Sequence, residues 1–239
     1  MLILALESSA KPASVAICSD GELLGQYFQN NGLTHSRTLL AMAESLLGNL
    51  DISTADIRLV AVSRGPGSFT GVRIGVSAAK GLAWGLDKPV CGVSTLEAMA
   101  YQTPEPGALL CPVMDARRNQ VYNALFQWQG KTLTRLCEDR AISLESLAAE
   151  LRDRQGTTNS PATNAHASPT YLIGDGTGIT HSYLTAAGIP CNKAPNLMRW
   201  QTAYGVALAA NHSKPIPATD LEPSYLRPSQ AERERTTNK

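Results

Sequence analysis

Four groups of residues could do chemistry, and each spacing can be compared with a reaction. Gly65, Gly67 and Gly71 punctuate the junction between an apolar run and a helical pattern, where free N–H groups and the helix dipole can hold an anion. Their order, G-x-G-x-x-x-G, is not the dinucleotide fingerprint, and no Gly-Lys-Ser/Thr follows to make a P-loop. Ser68 lacks the G-x-S-x-G setting of a hydrolase nucleophile and nothing pairs it with a histidine. The five cysteines (Cys18, Cys91, Cys111, Cys137, Cys191) never form C-x-x-C, so they read as reduced thiols packed mainly in strands, not as a metal or redox centre. Asp115-Ala-Arg-Arg118 admits two readings: Arg117 and Arg118 close local salt bridges, or they reach an anionic partner such as RNA phosphate.

The stretch that positions these groups runs from Leu59 to Leu86. Leu59 to Val62 is too short for a helix and reads as a buried strand. Gly65-Pro66-Gly67 breaks it, and Ser68 or Thr70 caps a helix reaching about Gly85. On a helical wheel Arg73, Ser77, Lys80 and Trp84 form one narrow polar stripe. The remaining arc, roughly 220° wide, is small or apolar, against the ~100° an ordinary surface helix needs. Its bulky side (Val72, Val76, Ala79, Ala83, Leu86) suits a sheet. Its small side (Gly71, Ile74, Ala78, Gly81, Gly85) suits the close approach of another helix. An amphipathic helix over Thr34 to Leu47, with Leu39, Met42, Ala43 and Leu46 in register, supplies a second face.

The other elements surround that pair. Strands are expected at Leu2–Leu6, Ala13–Cys18 and Glu22–Gln29, with Asp20-Gly21 as a hairpin turn. A short strand at Pro89–Val93 is followed by a capping box at Ser94-x-x-Glu97. After Thr103-Pro-Glu-Pro-Gly107 the order begins again. Strands are expected at Ala108–Met114, Asn119–Phe126, Lys131–Leu136 and Tyr171–Ile173, and helices at Leu144–Arg154, after Gly178 and at Gln201–Asn211. Each half therefore reads β-β-β-α-β-α, a topological repeat. The pattern predicts an α/β fold of two ribonuclease-H-like lobes, the architecture of actin, sugar kinases and heat-shock ATPases. The lobes are placed at 1–103 and 104–228, the second being smaller and holding the last helix. The tract 156–168 is expected to be a flexible surface loop and 229–239 a disordered tail.

Composition narrows the function. Apolar residues make up 43% and aromatics 5% of 239 residues, with a net charge of +1. That balance excludes a strong global field for nucleic acid, so any RNA contact must be local or belong to a partner. No apolar stretch is long enough to span a membrane. The start of the chain lacks a signal-peptide pattern, and a cytoplasmic protein is expected.

Gly65 through Leu82, preceded by Glu7-Ser-Ser9 and His35-Ser36, resembles the bacterial TsaB family, also called YeaZ. Asp115 through Tyr122 and Pro223-Ser-Tyr-Leu-Arg227 resemble two further motifs of that family. The resemblance implies the actin-like ATPase superfamily. It also implies a dimerisation subunit of the machinery that attaches threonylcarbamoyl to the adenosine next to the anticodon, in tRNAs reading A-starting codons. The implied partners are a catalytic TsaD-type subunit, a TsaE-type ATPase, tRNA through the complex, and a second copy when alone. The implied interface comprises Leu39, Met42, Ala43, Leu46, Gly71, Ile74, Gly75, Ala78, Gly81 and Leu82.

The catalytic relative places two histidines four apart on a first-lobe helix to hold a metal. Here His35 is followed four residues on by Leu39, and His166, His181 and His212 have no metal spacing, so no metal site and no catalytic residue is expected. The alternative is an ATP-dependent phosphotransferase of the same fold. Glu7 stands where such enzymes hold magnesium with Asp, and Gly174-Asp-Gly-Thr-Gly178 is either a relic adenosine loop or a turn before a helix. Glu7, Ser8, Ser9, Arg117 and Arg118 are the candidate nucleotide or anion contacts. No cofactor of its own is expected beyond weak or interfacial ATP or ADP.

Overall fold

The computed structural model describes residues 1–158 and 169–227. It divides into two units, one holding Met1–Thr95 and the chain from Thr202 on, the other Leu96–Gln201.

In the first unit, β1 (Leu2–Glu7), β2 (Ala13–Ser19) and β3 (Glu22–Gln29) form an antiparallel meander. The β2–β3 turn is made by Asp20 and Gly21, both at positive φ, the geometry of a tight two-residue hairpin. Helix α1 (His35–Asn49) leads to β4 (Leu59–Ser63), then α2 (Phe69–Gly85) and β5 (Val90–Val93). The strand order is β3-β2-β1-β4-β5, with β1, β4 and β5 parallel. Side chains alternate across the sheet. Leu4, Leu6, Val15, Ile17, Val60 and Val62 meet Leu39, Ala43 and Leu46 of α1 and Val72, Val76 and Ala79 of α2 in one core. Both faces of the sheet are covered, which explains near-continuous apolar strands.

The second unit begins with α3 (Thr95–Tyr101) and β6 (Leu109–Asp115). It continues through β7 (Gln120–Asn123), β8 (Phe126–Gln129), β9 (Thr132–Arg135), β10 (Arg140–Ser143) and α4 (Leu144–Thr158). Beyond Thr158 come β11 (Thr170–Ile173), α5 (Thr177–Ala186), β12 (Asn192–Lys193) and α6 (Asn196–Arg199). Its sheet runs β10-β7-β6-β11-β12, with β8 pairing β6 and β9. Setting the β8–β9 hairpin aside, this is the order of the first sheet again: third, second, first, fourth, fifth. Both units are ribonuclease-H-like, as the repeated element order predicts.

Three details differ from expectation. The single strand predicted over Asn119–Phe126 is two, because Pro112 in β6 has no N–H to continue the ladder. The partner strand leaves at that point, and buried Asn123 donates its amide to Pro112 O and Ala124 O, both at 3.0 Å. Strands β10 and β12 and helix α6, too short to show a period, lie outside the predicted elements. The last helix, α7 (Ala203–Ala210), lies on β1, β2 and β4 of the first sheet, so the lobe boundaries at 1–103 and 104–228 are corrected. Ala203, Val206, Ala207 and Ala210 are all buried there, the signature of a helix covered on most sides. The tail 229–239 and residues 159–168 of the expected loop lie outside the described residues, while 156–158 end α4.

Candidate functional site

The Gly65–Ser68 turn is built by close packing. A Cβ on Gly65 would run into the Ser224 carbonyl, and one on Gly67 into the Ser9 carbonyl. Ser68 caps α2, its Oγ accepting from Gly71 N–H at 3.3 Å, as expected. The Glu7-Ser8-Ser9 segment is sewn onto this helix start. Ser9 O accepts from Ser68 N–H at 2.6 Å, Ser8 Oγ donates to Gly71 O at 2.9 Å, and Glu7 Oε1 accepts from Ser9 N–H at 2.6 Å. All three residues are fully buried. In this arrangement the Ser9 carbonyl and the Ser8 hydroxyl hold a strand end to a helix start, and none of the three residues expected as anion or nucleotide contacts is exposed.

The same packing reassigns half of the expected interface. A Cβ on Gly71 or Gly75 would collide with Ser8, so these glycines serve the approach of the chain's own backbone. Leu39, Ala43 and Leu46 are at most 3% exposed, inside the first core. Burial removes all five from any partner surface. Ile74, Ala78, Leu82 and Met42 are half-buried, and Gly81 is exposed. Met42 lies on the edge of α1 that faces β3, because Asn49, seven residues on, bonds Tyr27 there.

What α2 does present is a strip between two neighbours. On one side Ala78 and Leu82 abut the core shared with α1. On the other, Lys80 Nζ donates to the carbonyls of Thr219 and Leu221 at 3.1 Å each. Arg73 stacks on Phe69 at 3.8 Å and donates to Tyr225 Oη at 2.9 Å. Two of the four polar-stripe residues thus bind the chain's own C-terminal strap. Between these edges Ser77, Gly81, Gly85 and Trp84 face outward, and Trp84 is 84% exposed. Leu40 of α1 is half-exposed as well, at 49%. Neither Trp84 nor Leu40 is among the residues expected at an interface; in the sequence one is a Trp in a polar stripe and the other a Leu outside its helix's apolar stripe.

Elsewhere, His35 opens α1 and its Nε2 donates to Ala10 O at 2.8 Å, a helix-start hydrogen bond. A Cβ on Gly174 (φ +107) would run into the Val113 carbonyl and come within 3.1 Å of Met99 Sδ, so the glycine lets the loop fit against β6 as a turn before α5. Asp175 in that loop is open at its surface but crowded by protein. Desolvation pushes its carboxyl upward, with Asp115 adding to the rise and Gln201, donating at 2.8 Å, opposing it. Burial pushes the Cys18 and Cys111 thiols to about 12, so both stay protonated and inert. Arg117 and Arg118 are exposed and, contrary to the local reading, form no ion pair among the described residues.

A family model described as TsaD, tRNA N6-adenosine threonylcarbamoyltransferase, matches residues 30–234. The tRNA threonylcarbamoyladenosine biosynthesis protein TsaB of Bacillus subtilis is 35% identical over 64% of this chain and 67% of its own length. The chain belongs to the TsaB (YeaZ) family. The TsaB of Haemophilus influenzae is 29% identical over 95% of this chain and 94% of its own. A solved Pseudomonas aeruginosa protein described as similar to peptidase YeaZ superposes with a TM-score of 0.72 at 26% identity, covering 95% of this chain and 99% of that one. With two ribonuclease-H-like sheets of like order, this TsaB-family chain has the actin-like ATPase fold.

Proposed function

We propose that this chain serves tRNA threonylcarbamoyladenosine biosynthesis as a non-catalytic scaffold. It binds a TsaD-type catalytic subunit and enables threonylcarbamoyl transfer to N6 of the adenosine next to the anticodon of tRNAs reading A-starting codons. Family membership supports the pathway. The observation that carries the scaffold role is the outer strip of α2, where exposed Trp84 stands beside Gly81 and Gly85. A large exposed aromatic beside helix positions without side chains fits an anchor on a surface that lets another helix come close. The same strip would pair two copies when the chain is alone, and a TsaE-type ATPase would join the assembled complex. The setting is the cytoplasm.

The non-catalytic assignment rests on the residues where a catalyst would need them. Glu7 is buried and bonded to Ser9 N–H, His35 is followed by Leu39 where a second ligand would stand, and Ser68 is engaged as a cap. The chain needs no cofactor of its own in this reading, and ATP or ADP enters at an interface with a partner. The test is reconstitution. The chain should co-elute with a TsaD-type protein, and modified tRNA should form only when both are present. Alone it should not turn over ATP. Modification at full rate without the chain would overturn the scaffold role. ATP hydrolysis that disappears with Glu7→Ala would favour the phosphotransferase.

A further inference from the structure

The link between β6 and β7 ends in two arginines whose state differs from that of every other arginine in the second unit. Among the described residues, Arg135 pairs with Glu97 and Asp139, and Arg140 and Arg154 both pair with Glu150. Arg152 donates to Ala187 O, and Arg199 lies on the Trp200 ring. Arg117 and Arg118 are exposed and have no such side-chain contact among the described residues.

The backbone supplies an independent observation. Arg117, Arg118 and Asn119 have φ of 66°, 54° and 56°, three successive residues in the left-handed region. Asn tolerates that conformation and glycine adopts it freely, but arginine is strained in it. The turn is held by Asp115 Oδ1 accepting from Arg117 N–H at 2.7 Å. Gln120 N–H donates to Arg117 O at 3.1 Å, and Ala116 N–H to Gln120 O at 3.0 Å. Strain kept where glycine would relieve it points to the side chains as the reason. They are two adjacent guanidiniums on a fixed turn, and among the described residues neither pairs with a carboxylate; the one acid of the turn, Asp115, accepts from the Arg117 backbone N–H instead.

We infer that the Arg117–Arg118 turn is a contact for the phosphate backbone of tRNA, carried on a different unit from the α2 strip that meets the protein partner. This rests on the tRNA reading of the proposed function. The guanidinium fork matches phosphate oxygens, and with a net charge of only +1 the contact must be local.

The test uses a fluorescent unmodified tRNA transcript titrated with the full chain, alone and mixed with the TsaD-type protein, across a salt series. Wild type should bind in at least one form. R117G/R118G and R117Q/R118Q should each weaken binding by about tenfold or more and lower the slope of log K against log salt by about one per arginine removed. The exposed control Lys131→Ala should change little. The glycine pair relieves strain, so its Tm should equal or exceed wild type, which separates lost binding from lost folding. Unchanged affinity and slope in the variants would overturn the inference, as would absence of tRNA binding by wild type in both forms. Variants that keep tRNA but lose the TsaD-type protein would also overturn it, showing that the turn meets an acidic protein surface. If wild type fails to bind the TsaD-type protein yet the variants lose tRNA, the scaffold role fails and this inference stands.

Discussion

Gly71 and Gly75 share a helix with Gly81 and Gly85, and their surroundings are opposite. The first pair is buried against Ser8, where any Cβ would collide with its backbone carbonyl or its hydroxyl; the second pair has nothing within 4 Å of where a Cβ would sit. A glycine in a helix costs about 1 kcal/mol relative to alanine, and α2 bears that cost at both ends for different reasons. At its N-terminal end the glycines let β1's loop lock the helix to the sheet. At its C-terminal end no internal packing explains them, and they flank the most exposed aromatic of the described chain. The contrast separates glycines that hold the fold from glycines on a face of α2 free to meet another molecule.

The largest effect expected on that division comes from Val76→Arg. Val76 is 3% exposed in the first core, and a buried unpaired charge there should cost roughly 4 kcal/mol or more, enough to unfold the unit. Circular dichroism would read it, and a folded variant would mean that α2 does not sit on the sheet as described. Gly71→Ala comes next. Its methyl group meets a backbone carbonyl that cannot swing aside, so denaturant unfolding should show a loss of about 1–3 kcal/mol.

Trp84→Ala should leave stability within about 0.5 kcal/mol, as for an exposed residue. It should weaken binding of the TsaD-type partner by about 2 kcal/mol or more if Trp84 is the anchor. Calorimetric titration checks this, and undiminished affinity would remove Trp84 from the interface. The smallest effect is Gly81→Ala, expected to raise stability by roughly 0.5–1 kcal/mol through helix propensity alone. A loss of stability would show that Gly81 is packed after all. Ala78→Arg is a poorer probe, because Ala78 is half-buried against the core and would disturb folding together with binding.

Local chemistry made much of this molecule legible. Apolar runs marked β1, β4 and β6, the Asp20-Gly21 pair marked its hairpin, and Ser68 marked the start of α2, because each depends on neighbours in the chain. The repeated order of elements was enough for two ribonuclease-H-like units. The candidate site was read less well. The small side of α2 is a true property of the helix, but a wheel cannot say which glycines are pressed on by a segment more than sixty residues earlier.

The sequence by itself determined that this chain is an α/β duplication organised on a glycine-rich helix, and which family it resembles. The tertiary structure decided where each side chain's surface goes. It buried Glu7, Ser8 and Ser9 at the start of α2, tied Arg73 and Lys80 to the C-terminal strap, and drew α7 into the first unit. It left Trp84, Arg117 and Arg118 exposed. Periodicity is set within a few turns of backbone. Burial and pairing are set by segments distant in sequence, and those appear only once the chain has closed on itself.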